Sequence, residues 1–214
     1  MNFELLKRFL SSVFLIIVTF YSIYQSYYFF NFFLLVVLII ALYEWHKMTF
    51  NRVYYFPGLI FLFFSFYSVQ TIRLNDNDNI YFILILLICI FTDIGGFLFG
   101  KLFQGPKLTK ISPKKTYSGV VGSFLMPIIV INIYINITSI ELIYEMNFKF
   151  YVMILLISAI SQIGDLTISY FKRLSKIKDT GKIIPGHGGI LDRIDGMIFA
   201  YPFSYFVYLN WNFQ

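Results

Sequence analysis

Seven long apolar runs, almost free of charge and separated by short polar breaks, constrain this chain more than any other feature. A helix rises about 1.5 Å per residue, so crossing a hydrocarbon layer takes about 20 residues. Segments approaching that length cover Phe9–Tyr24, Tyr28–Trp45, Val53–Thr71, Ile80–Gly100, Ser118–Thr138, Phe150–Phe171 and Leu191–Leu209. The first two share a tight turn, and a count of six or eight stays open. Of 214 residues, 58% are hydrophobic and 13% charged. A water-soluble domain of this size has too little interior to hide so much apolar surface. The expected fold is therefore all-α, a polytopic transmembrane helical bundle of about seven spans. Lys7-Arg8 ahead of the first run imitates a signal peptide, but the run continues too far and no small-x-small site follows, so it reads as a retained helix.

Charge gives an independent test of that count, because cytoplasmic loops collect the Lys and Arg excess. One side of the expected topology holds Lys7, Arg8, Lys47, Arg52, Lys101, Lys107, Lys110, Lys114, Lys115, Lys172, Arg173, Lys176, Lys178, Lys182 and Arg193, fifteen of the seventeen basic residues. The other holds Arg73 and Lys149. The N-terminus is thus expected in the cytoplasm, and eleven of the fifteen fall in just two loops. The net charge of +6 lies between apolar runs and not on one basic face, which excludes nucleic acid and favours anionic headgroups or phosphates. The lone Cys89 excludes an intrachain disulfide and a thiolate cluster. No linker or repeat interrupts the chain: residues 1–75 read as N-terminal membrane helices and 76–214 as the region bearing both basic loops, in one integral membrane domain. The outer-side acids Asp76, Asp78, Glu141 and Glu145 show no ligand-like spacing.

An ionisable group within a membrane segment costs about 3 kcal/mol on insertion scales and calls for an explanation. Asp93 lies about 12 Å, and Asp165 about 10 Å, below the cytoplasmic ends of their helices. Ser161, Asp165, Ser169 and Lys172 form one polar stripe that must face protein or water. Asp192 and Asp195, three apart at the start of the last helix, project from one face. Each has an ordinary alternative: Asp192 as an N-cap, Asp93 paired with a nearby lysine, Asp165 paired with Lys172 or Arg173. Four carboxylates at the same ends of different spans, beside two lysine-rich loops, suit Mg²⁺, which takes a few carboxylates and completes its shell with water and phosphate oxygens.

Pro185-Gly186-His187-Gly188-Gly189 stands directly ahead of the last helix. Glycines let a backbone wrap a phosphate closely, and the N–H groups of a following helix favour an anion such as a nucleotide triphosphate. Neither a Walker loop nor a dinucleotide fingerprint is present. Ser112-Pro113-Lys114-Lys115-Thr116 and His187, taken alone, are equally compatible with ordinary loops.

Taken together, Ser169-Tyr170-Phe171-Lys172-Arg173, Lys178-Asp179-x-Gly181 and Pro185-Gly-His187-Gly188-Gly189-Ile-Leu-Asp192-Arg193-Ile-Asp195 resemble the signature of the phosphatidate cytidylyltransferase family, over about 27 consecutive positions. Gly164-Asp165-Leu166, Asp93-Ile94-Gly95-Gly96 and Ser112 to Thr116 resemble its other cytoplasmic segments, so the likeness covers about residues 90 to 200. Two departures stand out: Ile168 where members commonly carry an acid, and Tyr117-Ser118 in place of Trp and Glu. The resemblance implies a nucleotidyltransferase that makes CDP-diacylglycerol from CTP and phosphatidate in phospholipid biosynthesis. It assigns Asp165, Asp192, Asp195, Lys172 and Arg173 to catalysis. Asp165, Asp192 and Asp195, with Asp93 weaker, would bind Mg²⁺, a second cation being open. Ser169, Lys178, Asp179, His187, Gly188, Gly189, Arg193, Lys114 and Lys115 would bind substrate. The expected setting is the bacterial inner membrane with the site facing the cytoplasm; membrane lipids are partners and a homodimer is left open.

A CDP-alcohol phosphotransferase begins its motif as Asp192 to Gly196 does, but no acid follows Asp195, which excludes it. A cation-coupled transporter using buried aspartates is the alternative, and would spread its ionisable groups through the membrane's depth.

Overall fold

The structure is a computed structural model that describes residues 3–76, 79–109, 112–138, 147–184 and 188–210. Its regular elements are all helices, joined by loops that hold two isolated bridges, Lys107 with Thr116 and Ile184 with Gly188. The helices are α1 (Phe3–Tyr24), α2 (Tyr27–Thr49), α3 (Tyr55–Asn75), α4 (Ile80–Phe103), α5 (Tyr117–Thr138), α6 (Phe148–Leu174), α7 (Leu191–Ile194) and α8 (Met197–Asn210).

Among the described residues, five helices, α2 to α6, are long and apolar enough to cross a membrane. The apolar part of α1, Val13–Tyr24, and that of the last helix, Met197–Leu209, are shorter. The expected final span, Leu191–Leu209, breaks at Asp195 and Gly196, where the Gly196 N–H donates to Asp195 Oδ1 at 2.9 Å. Asp192 therefore sits on α7, ahead of the apolar helix.

Helices in lipid have little hydrophobic drive to associate and depend on close approach. The tightest pair here is α4 with α5, and glycine permits it. A Cβ on Gly95 would come within 2.8 Å of Met126 Cβ, and one on Gly119 within 2.8 Å of the Gly96 carbonyl. Thr116 starts α5 as its cap, its hydroxyl accepting from Gly119 N–H at 3.1 Å. Asn147 does the same for α6, accepting from Phe150 N–H at 3.1 Å.

Two apolar clusters fill the bundle. One centres on α4 with Leu84, Ile88, Ile131, Ile154 and Ile157. The other, built from Trp45, Leu62, Ile168, Leu191 and Ile198, lies beneath the loop between α6 and α7 and seats that loop on α2 and α3. Ile168 is thus a core residue, which accounts for an apolar side chain at that position.

Candidate active site

The polar stripe of α6 faces protein: Ser161, Ser169 and Lys172 are buried. Above them the helix ends with Lys176 in the left-handed region at φ 57°, which turns the chain back over the bundle. Gly164 and Gly196 allow α6 to touch the turn that carries Asp195. A Cβ on Gly164 would lie 2.7 Å from the Asp195 carbonyl, and one on Gly196 3.1 Å from that of Ser161.

This approach brings three carboxylates from three elements within electrostatic reach: Asp93 of α4, Asp165 of α6 and Asp195 between α7 and α8. They repel one another, and Lys115, Lys172 and Arg193 oppose that repulsion. The loop between α4 and α5 folds back on itself, Leu108 N–H donating to the Lys115 carbonyl at 2.8 Å, and so delivers Lys115 to the cluster. Lys115 Nζ lies 2.6 Å from Asp165 Oδ2, with a quarter of each side chain exposed. Ser169 donates to the other oxygen of Asp165 at 3.3 Å. Asp165 therefore pairs with a lysine from a different loop and not with Lys172 or Arg173 of its own helix.

Asp192, expected as a metal ligand, has both carboxylate oxygens engaged by protein donors. Its Oδ1 meets Lys172 Nζ at 2.7 Å. Its Oδ2 accepts from Thr180 N–H at 2.8 Å and Gly189 N–H at 3.0 Å. Burial alone would raise this carboxyl's pKa, but Lys172 and the N–H groups of Gly189 and Thr180 hold it below the usual carboxylate range.

The largest surprise is Glu44, which is not among the residues the sequence singles out. It lies on α2, is 1% exposed, and reaches the loop from below. One oxygen accepts from Ile190 N–H at 3.0 Å; the other accepts from Leu191 N–H at 2.8 Å and from the Thr180 hydroxyl at 2.9 Å. The N–H groups expected to greet a phosphate at the start of the last helix are thus taken by protein carboxylates. A signal was present: Glu44 is an acid inside an apolar run, the criterion that picks out Asp93.

Of the remaining expected residues, Arg173, Lys178, Asp179, Arg193 and Lys114 are exposed. Arg173 donates to the Ile177 carbonyl at 3.2 Å. Gly188 has φ 88°, a conformation suited to glycine, beside Asp179 and Asp192. Pro185, Gly186, His187 and Lys110 lie outside the described residues, as do Asp78, Glu141 and Glu145.

Among the described residues no three Asp, Glu, His or Cys side chains form a cage for one ion. Mg²⁺ does not need one, since it is usually held by one or two carboxylates and otherwise by water and phosphate oxygens. Asp93, Asp165 and Asp195 are hard oxygen donors, and one or two of them would suit such an ion.

Comparison with known proteins agrees with this chemistry. Residues 50–211 match the cytidylyltransferase family. The phosphatidate cytidylyltransferase of Rickettsia felis is 38% identical over 174 residues, covering 78% of this chain and 75% of that protein. That of Rickettsia bellii is 39% identical over 176 residues, covering 78% and 74%. That of Haemophilus influenzae is 39% identical over 133 residues, covering 58% of this chain and 46% of its own length. The chain belongs to the cytidylyltransferase family.

Proposed function

We propose that this chain is a CTP:phosphatidate cytidylyltransferase, producing CDP-diacylglycerol and pyrophosphate for phospholipid synthesis. The observation that carries the reading is the grouping of Asp93, Asp165 and Asp195 with Lys115 and Lys172, in a chain of this family. In the reaction a phosphatidate oxygen attacks the α-phosphorus of CTP, the new P–O bond forms, and the bond to the β-phosphate oxygen breaks to release pyrophosphate. The nucleophile is already an anion, so no strong general base is required. The obstacle is repulsion between two polyanions.

Lys178, Arg173 and Arg193 draw in the nucleotide and lipid phosphates as exposed cations, and Lys114 adds to that field. Lys115 and Lys172, held by Asp165 and Asp192, stand ready to neutralise charge as it shifts toward the leaving group. One or two of Asp165, Asp195 and Asp93 would hold Mg²⁺, water and phosphate oxygens completing its shell, with a second cation left open; bound there, the metal would supply Lewis-acid neutralisation of the phosphates. Asp192 keeps Lys172 and the loop in place, and Asp179, Gly188, Gly189 and His187 belong to the nucleotide side of the site.

The topology belonging to this reading is seven spans, with α1 and α8 crossing beside the five longer helices and the N-terminus in the cytoplasm. Support comes from the fifteen basic residues collected on one side. The active face then meets cytosolic CTP while phosphatidate stays in the bilayer, in a bacterial inner membrane. Residues 76–214 supply the catalytic region and 1–75 the supporting helices.

The test is purified protein in detergent–lipid micelles with labelled CTP, phosphatidate and Mg²⁺. CDP-diacylglycerol and pyrophosphate are expected one for one. Equal product with excess chelator, or from Asp195→Asn, would remove the metal from the reading.

A further inference from the structure

We infer that Glu44 is a positioning residue for the nucleotide loop, and that α2, ahead of the segment matched to the family, thereby sets the affinity for CTP. The inference rests on the reading that Lys178, Asp179, Gly188 and Gly189 face the nucleotide. A carboxylate 1% exposed has lost its water and must be satisfied by protein donors. Glu44 has three, and all belong to the loop or the start of α7: the Thr180 hydroxyl and the N–H groups of Ile190 and Leu191. Charge-assisted bonds of this kind are about twice as strong as neutral ones.

The loop is built to admit this carboxylate. A Cβ on Gly181 would come within 3.0 Å of Glu44 Cδ, and one on Gly189 would collide with both Glu44 oxygens and the Thr180 hydroxyl. Gly189, which reads as part of a phosphate wrap, and Gly181 of the family signature are thus also required for close approach to Glu44. Thr180 joins the anchors, since its hydroxyl donates to Glu44 while its N–H donates to Asp192, which in turn holds Lys172. The loop is pinned from α2 on one side and α6 on the other, with Lys178 and Asp179 immediately before the pin.

Glutamine at position 44 offers one acceptor oxygen and turns an NH₂ toward groups that are themselves donors. Hydrogen exchange and steady-state kinetics on the full chain in micelles test the inference, using Glu44→Gln, Thr180→Val and the conservative Thr180→Ser. Exchange at residues 179–191 is expected to rise about tenfold in Glu44→Gln and Thr180→Val, with α4 and α6 protected as in the parent. KM for CTP is expected to rise about tenfold while kcat stays within about threefold, and Thr180→Ser is expected to match the parent. Unchanged KM, or protection lost evenly through the bundle, overturns the positioning role. If Glu44→Gln does not fold, Thr180→Val decides; failure of both to fold assigns Glu44 to stability alone and also overturns it. A parent protein that makes no CDP-diacylglycerol sinks the proposed function instead, while the exchange arm still reports on the loop.

Discussion

Lys172 Nζ and Asp192 Oδ1 are 2.7 Å apart, with side chains 10% and 6% exposed, so the final turn of α6 is bolted to the short helix that opens the last segment. Both charges lie largely out of water. Removing one partner strands the other, and Lys172→Met is expected to cost about 3–5 kcal/mol of stability, read as a lower unfolding midpoint in micelles.

The same pair predicts a pH dependence. The Asp192 carboxyl is held below its ordinary value, so its stabilising effect is full above the unfolded-state pKa and is lost as pH falls through the lower folded one. The gap in melting temperature between the parent and Asp192→Asn should be constant from about pH 8 to pH 5 and should narrow below about pH 4. A gap that widens in acid contradicts the assignment.

Lys115 and Asp165 predict the opposite balance of stability and activity. Their ion pair is a quarter exposed, so its contribution to stability is at most about 1 kcal/mol. As charges in the proposed reaction site they would count for far more. Lys115→Gln is expected to leave the melting curve almost unmoved and to lower kcat/KM by about 10²-fold, measured as CDP-diacylglycerol formed.

Gly164 has a different task, which is contact. A Cβ there would lie 2.7 Å from the Asp195 carbonyl and 2.7 Å from the Phe199 ring, pushing α6 away from the turn that carries Asp195. Gly164→Ala should cost about 1–3 kcal/mol and most of the activity. Gly100→Ala, whose Cβ would meet the Thr116 hydroxyl at 3.1 Å, should cost less. Equal effects would show that closeness at Gly164 is not what the site depends on.

Lys178 is exposed and is proposed to meet a substrate phosphate. Lys178→Ala is expected to raise the CTP or phosphatidate requirement by about tenfold with no loss of stability, and the effect should shrink as salt is added. A profile unchanged for both substrates takes it out of the site.

Local chain information was enough for the helical membrane class, the two basic loops and the family signature. Hydropathy runs and contiguous motifs are properties of neighbouring residues, and α2 to α6 follow the expected spans within a few positions. The seven-span count was less legible because the last run holds the Asp195-Gly196 break and the first has a shorter apolar part.

Which acid meets which base was settled only by the packed bundle. Asp165 takes Lys115 from across the α4–α5 loop, Asp192 takes Lys172, and Glu44 reaches partners 136 to 147 positions away. Such pairings depend on how far each helix is rotated and how closely glycines let two backbones approach. No spacing along the chain encodes those quantities, so the sequence determined the ingredients of the site, and tertiary structure decided their partners.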